Sequence, residues 1–193
     1  MKVVYIHGLN SSDRSFAYIL RQLPEHDAVR VNYRSHQPLK DSIAEVTLQL
    51  PKRGPFAIVG HSLGGVIGSI IATEHPKVSK LITISSPLGG SKAANILQWL
   101  PNHPPLVRDI TPRAPYVELL REFEFKIPTL SIISTGGSLP TTNEPNDSVV
   151  TVASQKSMFH AKKVEVKANH FEVLVHDDTV DLVKIHLFGE DKE

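Results

Sequence analysis

The sequence predicts an α/β fold with a mostly parallel central sheet of about six strands and helices on both faces. Short apolar runs of strand length alternate along the chain with segments whose apolar residues recur at helical spacing. Strands that alternate with helices pair in parallel, and the helices then cover both faces of the sheet. The length of 193 residues fits one domain with a sizeable core, so we expect residues 1–193 to form a single domain.

The strands are predicted from short apolar runs bounded by turn residues or by helical segments. The first run ends at His7-Gly8, as is typical of a buried strand that meets a loop. The second run alternates in polarity, and the third is continuous from Phe56 to Val59, where a glycine follows. The last three are apolar runs that lie farther along the chain. The predicted strands are 3–6, 28–33, 56–59, 80–84, 127–133 and 163–166.

Helical spacing and end signals predict the helices between these strands. Asp13 is a candidate cap of the first helix. Pro38 suits the first turn of the second helix, and Pro51 ends it. The third helix directly follows the third strand, and the last one follows the final strand. The predicted helices are 13–23, 38–50, 63–75 and 180–188.

Residues 85–126 interrupt this alternation, because they contain no predicted strand and are rich in Pro and Gly at their start. Two helices are predicted inside the segment, at 93–100 and at 111–123. In the second of these, Thr111 is the expected cap and Pro112 the expected first residue. We interpret the segment as a helical insertion over the carboxyl ends of the strands.

Composition excludes several classes of function. The chain has 21 basic and 20 acidic residues and a net charge of +1, with no basic stripe, so nucleic acid is not an expected partner. It contains no cysteine, which excludes disulfides, thiolate metal sites and cysteine nucleophiles. Its apolar stretches are too short to span a bilayer. Because the chain starts directly with a strand and no leader pattern, we expect a cytoplasmic location.

A serine lies between the third strand and the third helix, in the pattern G-x-S-x-G formed by Gly60-His61-Ser62-Leu63-Gly64. This is the setting of a nucleophile elbow, in which a strained turn raises the serine hydroxyl above the sheet. Glycines two residues away on either side avoid clashes between the turn, the helix and the neighbouring strand. The alternative is a glycine-rich turn with an incidental serine.

Three segments together resemble the α/β-hydrolase family, nearest to its lipase- and esterase-like serine hydrolases. IVGHSLGG at 58–65 is similar to the family's elbow, VVYIHGLNSS at 3–12 to its oxyanion loop, and ISSPLGGS at 84–91 to the segment after the fourth strand. Members often carry two further strands before the first one found here. The resemblance therefore implies a minimal sheet with a small cap.

The resemblance also implies a catalytic triad in the chain order serine, acid, histidine. A serine hydroxyl needs an imidazole to accept its proton and a carboxylate to orient that imidazole. His170 follows the last predicted strand, where the family's base lies; His176 and His160 are the alternatives. Asp147 lies in the loop after the fifth strand, with Glu144 as its main rival.

The oxyanion hole requires two fixed N–H donors. The backbone N–H of Leu63, next to the nucleophile, is one, and the resemblance implies that the other lies in the loop after the first strand. We expect the N–H of Leu9 to be this donor, although Asn10 or Ser11 could replace it. His7 is expected to hold the loop in place without a direct catalytic role.

These residues predict a serine carboxylic-ester hydrolase that forms an acyl-enzyme on Ser62 and acts on a small-molecule ester. An acyltransferase or thioesterase with the same triad, and a catalytically idle binding domain, are the alternatives. No metal-ligand pair or phosphate-loop spacing is present, so neither metal nor cofactor is expected. Within the insertion, four apolar residues could contact an acyl group or equally form the buried face of a helix: Ile96, Leu97, Trp99 and Leu100.

Overall fold

The computed structural model describes residues 1–92, 94, 105–139, 142–158 and 160–189. Its centre is a six-stranded sheet in the order β2-β1-β3-β4-β5-β6, and every neighbouring pair is parallel. The predicted α/β fold class is therefore confirmed. The strands are β1 (Lys2–Ile6), β2 (Asp27–Val31), β3 (Phe56–His61), β4 (Val78–Ile84), β5 (Thr129–Ser134) and β6 (Lys162–Val166).

Helices connect the strands and cover both faces of the sheet. Two short 3-10 segments, Asp13–Phe16 and Glu172–Val175, precede the first and the last of them. The helices whose bounds lie within the described residues are α1 (Ala17–Gln22), α2 (Leu39–Thr47), α3 (Leu63–Glu74), α4 (Leu106–Asp109), α5 (Pro115–Glu122), α6 (Val152–Gln155) and α7 (Asp177–Phe188).

Two apolar clusters, one on each side of the sheet, form the core. Successive residues of a strand point to opposite faces, so Val4 and Ile58 pack with α2, α3 and α5, whereas Tyr5 and Val59 pack with α1 and α7. All residues of β3 are buried. Burial on both faces explains why this strand is a continuous apolar run in the sequence, and it fixes the position of the serine that follows.

The start of α5 differs from the prediction. The helix begins at Pro115 with Ala114 as its N-cap, and not at Thr111 and Pro112. Ala114 has extended backbone (ψ 141°) because the ring of the following proline disfavours helical geometry at that residue. Thr111 does not cap a helix there, and its hydroxyl instead donates to the Arg108 carbonyl.

The first predicted helix also begins differently. Its first turn is the 3-10 segment Asp13–Phe16, and its N-cap is Ser12, whose side chain accepts from the Arg14 N–H. Asp13 therefore lies inside the first turn and is not the cap. The short helices α4 and α6 were not predicted, because four-residue helices carry too little periodicity to be recognised.

The described part of the insertion 85–126 contains α4 and α5 and no strand. Apart from Ala94, the predicted helix at 93–100 lies outside the described residues, and so do Ile96, Leu97, Trp99 and Leu100. In the described ranges, no helix has the length and apolar character needed to cross a membrane.

Candidate active site

Ser62 lies at the sharp turn between β3 and α3. Its backbone has φ 53° and ψ −122°, a conformation that non-glycine residues rarely adopt. The Ser62 N–H donates to the carbonyl of Ile84 at the end of β4 at 2.8 Å, which ties the turn to the neighbouring strand. Strained backbone of this kind persists only where the surrounding structure holds it, and it is often found at functional sites.

The glycines around Ser62 are required by close backbone contacts. A Cβ atom on Gly64 would lie 1.9 Å from the carbonyl oxygen of Ile6, at the end of β1. A Cβ on Gly60 would lie 2.4 Å from the carbonyl oxygen of Gly64. The turn can therefore place the start of α3 against β1 only because neither residue has a side chain.

The structure brings Ser62, His170 and Asp147 into one hydrogen-bonded row. His170 follows β6, and its Nε2 lies 3.0 Å from the Ser62 Oγ. Its Nδ1 lies 2.8 Å from the Asp147 Oδ2. A carboxylate only accepts, so Nδ1 carries the proton and the lone pair of Nε2 faces the serine hydroxyl. The row can move the serine proton onto the imidazole.

Asp147 is completely buried at the end of this row. Its Oδ1 accepts from the N–H groups of Val149 and Val150 at 2.9 and 2.7 Å. Burial raises the pKa of Asp147, but the hydrogen bond and charge of His170, together with hydrogen bonds from Ser134 and Val150, leave that pKa below its usual value. Asp147 is thus held as a carboxylate at neutral pH.

The rival residues have other partners. Glu144 forms an ion pair with Lys92 on the surface. The His176 ring accepts from the Asp178 N–H at 3.3 Å and caps α7. The pKa of the Glu124 carboxyl is lowered first by its hydrogen bond from Lys126 and, to a smaller extent, by His160, which therefore lies near Glu124. Among the predicted candidates, the hydrogen-bonded row is formed by Ser62, Asp147 and His170.

The loop after β1 lies against the serine. A Cβ on Gly8 would be 3.0 Å from the Ser62 Cβ, and Leu9 and Leu63 both line the adjoining pocket. The Asn10 N–H donates to the Ser35 Oγ at 3.3 Å, so it is already engaged. Within the described residues, the N–H groups of Leu9 and Leu63 have no hydrogen-bond partner. This leaves them free to donate to a bound group.

His7 holds this loop through its ring. The Nδ1 donates to the Gly8 carbonyl at 2.8 Å, and the ring stacks on Tyr33 with centroids 4.5 Å apart. The Tyr33 hydroxyl donates to the His7 carbonyl at 2.7 Å. Burial lowers the pKa of His7, although its hydrogen bond to Gly8 partly opposes that. These contacts agree with the structural role expected for His7.

His61 and a group of buried polar side chains behind Asp147 were not singled out from the sequence. The His61 Nε2 donates to the His170 carbonyl at 2.8 Å. Burial, with repulsion from His170, lowers the pKa of His61 to about 3, so its ring stays neutral. Ser85 and Ser134 lie at the carboxyl ends of neighbouring parallel strands, a signal that could have identified them. Gln155 carries no such signal.

A pocket of about 320 Å³ opens beside Ser62. Its described lining contains no Asp, Glu, Lys or Arg, and Phe171 and Val149, which are 68% and 45% exposed, lie at its rim. The apolar lining residues are Leu9, Leu63, Pro87, Leu106, Ile110, Val149, Val150 and Phe171. Across the described residues, no group of three or more His, Asp or Glu side chains could hold a metal ion.

Comparisons with known proteins agree with this architecture. A sequence model described as "Alpha/beta hydrolase family" matches residues 3–175. No curated protein matches the chain in sequence.

Solved structures share the fold at low sequence identity. The mature lipase BlEst2 of Bacillus licheniformis is 16% identical with a TM-score of 0.75, covering 94% of this chain and 89% of that one. A lipase-esterase related protein from Clostridium acetobutylicum is 12% identical with a TM-score of 0.71, covering 96% and 94%. The enol-lactonase from Burkholderia xenovorans is 16% identical with a TM-score of 0.68, covering 96% and 90%.

Proposed function

The chain belongs to the α/β-hydrolase family, a membership that supports hydrolase activity, and we propose that it is a serine hydrolase of carboxylic esters. One observation carries the proposal: Ser62, His170 and the buried Asp147 form a continuous hydrogen-bonded row beside a pocket whose described lining contains no Asp, Glu, Lys or Arg. The comparison structures named as a lipase and as a lipase-esterase related protein are consistent with an ester substrate.

In the acylation step, the Ser62 Oγ attacks the ester carbonyl while the His170 Nε2 takes the hydroxyl proton. Asp147 keeps the imidazole in the tautomer that can accept this proton and stabilises the imidazolium that forms. The N–H groups of Leu9 and Leu63 donate to the oxyanion of the tetrahedral intermediate. When the intermediate collapses, His170 returns the proton to the leaving alcohol and the acyl group remains on Ser62.

In the deacylation step, the same groups act on water. The His170 Nε2 takes a proton from a water molecule, which attacks the acyl carbonyl, and the proton then passes to the Ser62 Oγ as the acid leaves. His61 stays neutral through both steps, because its pKa is about 3. It therefore does not compete with His170 as a base near neutral pH.

The lining of the pocket favours an uncharged acyl group. An ionised acyl chain would lose its hydration without gaining a counter-charge from the described lining, which contains no acidic or basic side chain. Apolar contacts with Leu106, Ile110 and Val150 instead favour an aliphatic chain. We propose a small, neutral ester as the substrate and residues 1–193 as one catalytic domain. Pro87, Ser91, Leu106 and Ile110, from the described part of the insertion 85–126, line the pocket.

The direct test is hydrolysis of p-nitrophenyl butyrate by the wild type, Ser62→Ala and Ser42→Ala. Ser42 is a matched control, because its fully buried hydroxyl donates to the Arg34 carbonyl, away from the pocket. We expect turnover by the wild type and the control, and a loss of at least about 10⁴-fold in kcat for Ser62→Ala. Equal turnover by Ser62→Ala would contradict the proposal.

An acyltransferase or thioesterase would use the same triad and differ only in the acceptor or the leaving group. Product analysis with butyl butyrate and its thioester analogue, with and without added ethanol, separates these activities. A hydrolase yields butyric acid as its main product, and the ester is cleaved faster than the thioester. Dominant transfer to ethanol or a preference for the thioester would favour the alternatives. A binding domain would cleave neither compound.

A further inference from the structure

A buried cluster of neutral polar side chains lies behind Asp147, on the side away from the pocket. It consists of Ser85 directly after β4, Ser134 at the end of β5 and Gln155 at the end of α6. All of these side chains are completely buried, as is Asp147. The proposed ester chemistry assigns no role to any of them.

The hydroxyl protons of this cluster have one consistent direction. The Ser134 Oγ lies 2.6 Å from the Asp147 Oδ2, and because an ionised carboxylate only accepts, Ser134 is the donor. The Ser134 hydroxyl has a single proton, so it must accept in its 2.6 Å contact with the Ser85 Oγ. The two hydroxyls therefore form a chain of donors that runs from Ser85 through Ser134 to the carboxylate.

The orientation of the Gln155 amide is fixed by its neighbours. Its Oε1 accepts from the Ser134 N–H at 2.9 Å, and its Nε2 donates to the Ser134 carbonyl at 3.0 Å. The same Nε2 lies 3.2 Å from the Asp147 Oδ2. Gln155 thus locks Ser134 in place and adds a second neutral donor to the oxygen that His170 uses.

These contacts concentrate at one atom. The Asp147 Oδ2 receives hydrogen bonds from Ser134, from Gln155 and from the Nδ1 of His170. Each neutral donor withdraws negative charge from this oxygen and fixes the orientation of the Asp147 carboxylate. Linked hydrogen bonds also polarise one another, which strengthens the effect. The neutral donors therefore act on the same atom that orients the imidazole.

We propose that Ser134, Ser85 and Gln155 are positioning residues, which hold Asp147 as a correctly oriented carboxylate and tune its hold on the His170 proton. This inference rests on the proposed ester-hydrolase function. Ser85 acts through Ser134 and does not touch the acid itself. The segment ISSPLGGS after β4 thereby gains a defined role for its first serine.

A neighbouring pair of hydroxyls provides the internal control. Thr83 lies two residues before Ser85 in β4, is completely buried, and donates to the Ser131 Oγ at 3.0 Å. It resembles Ser85 in burial and in pairing with β5, but its partner Ser131 donates to the backbone carbonyl of Gln155 at 3.5 Å and has no hydrogen bond to Asp147. Thr83→Val removes a buried hydroxyl from the same strand and conserves the shape of the side chain.

The experiment measures kcat/KM against pH for hydrolysis of p-nitrophenyl butyrate by the wild type, Ser134→Ala, Ser85→Ala and Thr83→Val, normalised to active sites titrated with a fluorophosphonate. Removal of a donor raises the pKa of Asp147. Its carboxylate then attracts the proton on the His170 Nδ1 more strongly. We expect the acid limb to move to higher pH by about half a unit or more in Ser134→Ala. The same variant should lose about tenfold in kcat/KM at pH 7.

Ser85→Ala should shift the limb in the same direction by a smaller amount, while Thr83→Val leaves it in place. A shift in Ser85→Ala identifies the donor chain, because Ser85 reaches the acid only through Ser134. An acid limb at the wild-type position in both serine variants, with only the melting temperature lowered, would overturn the inference and leave the cluster a structural one.

A second readout separates this inference from the proposed function. The proton on the His170 Nδ1 reports its hydrogen bond to Asp147 by NMR without any turnover, with the signal assigned by its loss in His170→Asn. If the wild type proves inactive, the proposed function fails, but this resonance should still be displaced or lost in Ser134→Ala and unchanged in Thr83→Val. A resonance at the wild-type position in folded Ser134→Ala would contradict the inference.

Discussion

The two walls of the candidate active site differ in kind. The rear wall behind Asp147 is buried, polar and fully hydrogen-bonded, and it includes Ser134 and Gln155. The front wall, formed by the described lining of the pocket, is mostly apolar, and it is exposed at Phe171 and Val149. Hydrogen bonds in a buried site fix directions and charges, whereas apolar contacts scale with area and tolerate changes of shape. The rear wall should thus control the chemistry, and the front wall should control which ester binds.

The largest expected effect comes from the acid at the rear wall. Asp147→Asn should lower kcat on p-nitrophenyl butyrate by about 10³- to 10⁴-fold. The amide NH₂ group would donate to the His170 ring, which would then carry its proton on Nε2 and could not accept one from Ser62. The protein should stay folded, as measured by circular dichroism.

Glu144→Gln is the matched control for this prediction. It makes the same chemical change at the rival acid, which pairs with Lys92 on the surface. Its kcat should stay within about twofold of the wild type, since exposed ion pairs contribute little. If Glu144→Gln loses activity and Asp147→Asn keeps it, the assignment of the acid is wrong.

A smaller effect is expected at the front wall. Phe171→Ala removes an aromatic ring that is 68% exposed at the rim of the pocket. KM for p-nitrophenyl octanoate should rise by about two- to fivefold, since part of the ring's apolar contact with a long acyl chain is lost. The value of kcat should change less than KM, because the ring packs edge-on against the His170 ring, with centroids 5.3 Å apart, but takes no part in the hydrogen-bonded row.

Comparing p-nitrophenyl esters of different acyl length separates the effect of the front wall from that of the rear wall. For p-nitrophenyl acetate, whose acyl group offers much less apolar surface to the ring, Phe171→Ala should leave KM nearly unchanged. An equal loss of kcat on the acetate and the octanoate would mean that the front wall also takes part in the chemistry.

The smallest expected effect concerns stability against pH. The pKa of Asp147 is lower in the folded chain than its ordinary value, so this carboxylate stabilises the fold at pH values above the unfolded pKa of about 4. The contribution is lost as the pH falls through the folded pKa, below that value. Urea unfolding of the wild type between pH 6 and pH 3 should therefore show a falling free energy of unfolding.

Asp147→Asn has no such carboxylate, so its free energy of unfolding should fall less steeply over the same range. Parallel curves for the two proteins would show that Asp147 is not held as a stabilised carboxylate.

The features that could be predicted from the sequence are those whose residue pattern is determined by local geometry. Buried parallel strands are continuous apolar runs, and the observed strands begin and end within two residues of the predicted ones. The elbow at Ser62 was recognisable because its glycines are required by contacts close along the chain or with the adjacent strand. His170 and Asp147 were selected because their positions after strands match those that the α/β-hydrolase resemblance implies for the base and the acid, and their catalytic roles remain predictions.

Other features depend on contacts that the sequence does not display. The contact between Ser85 and Ser134 depends on the pairing of β4 with β5, and Gln155 reaches Asp147 from a four-residue helix that has no periodic signal. The start of α5 was misplaced because two prolines compete, and the extended backbone of Ala114 before Pro115 decides between them.

We propose above that Ser62 is a nucleophile activated by His170. The most direct measurement is intact-mass analysis after exposure to a fluorophosphonate, on the wild type, Ser62→Ala and His170→Ala. We expect one adduct on the wild type, none on Ser62→Ala and slow labelling of His170→Ala. No adduct on the folded wild type, or an adduct that persists in Ser62→Ala, would contradict it.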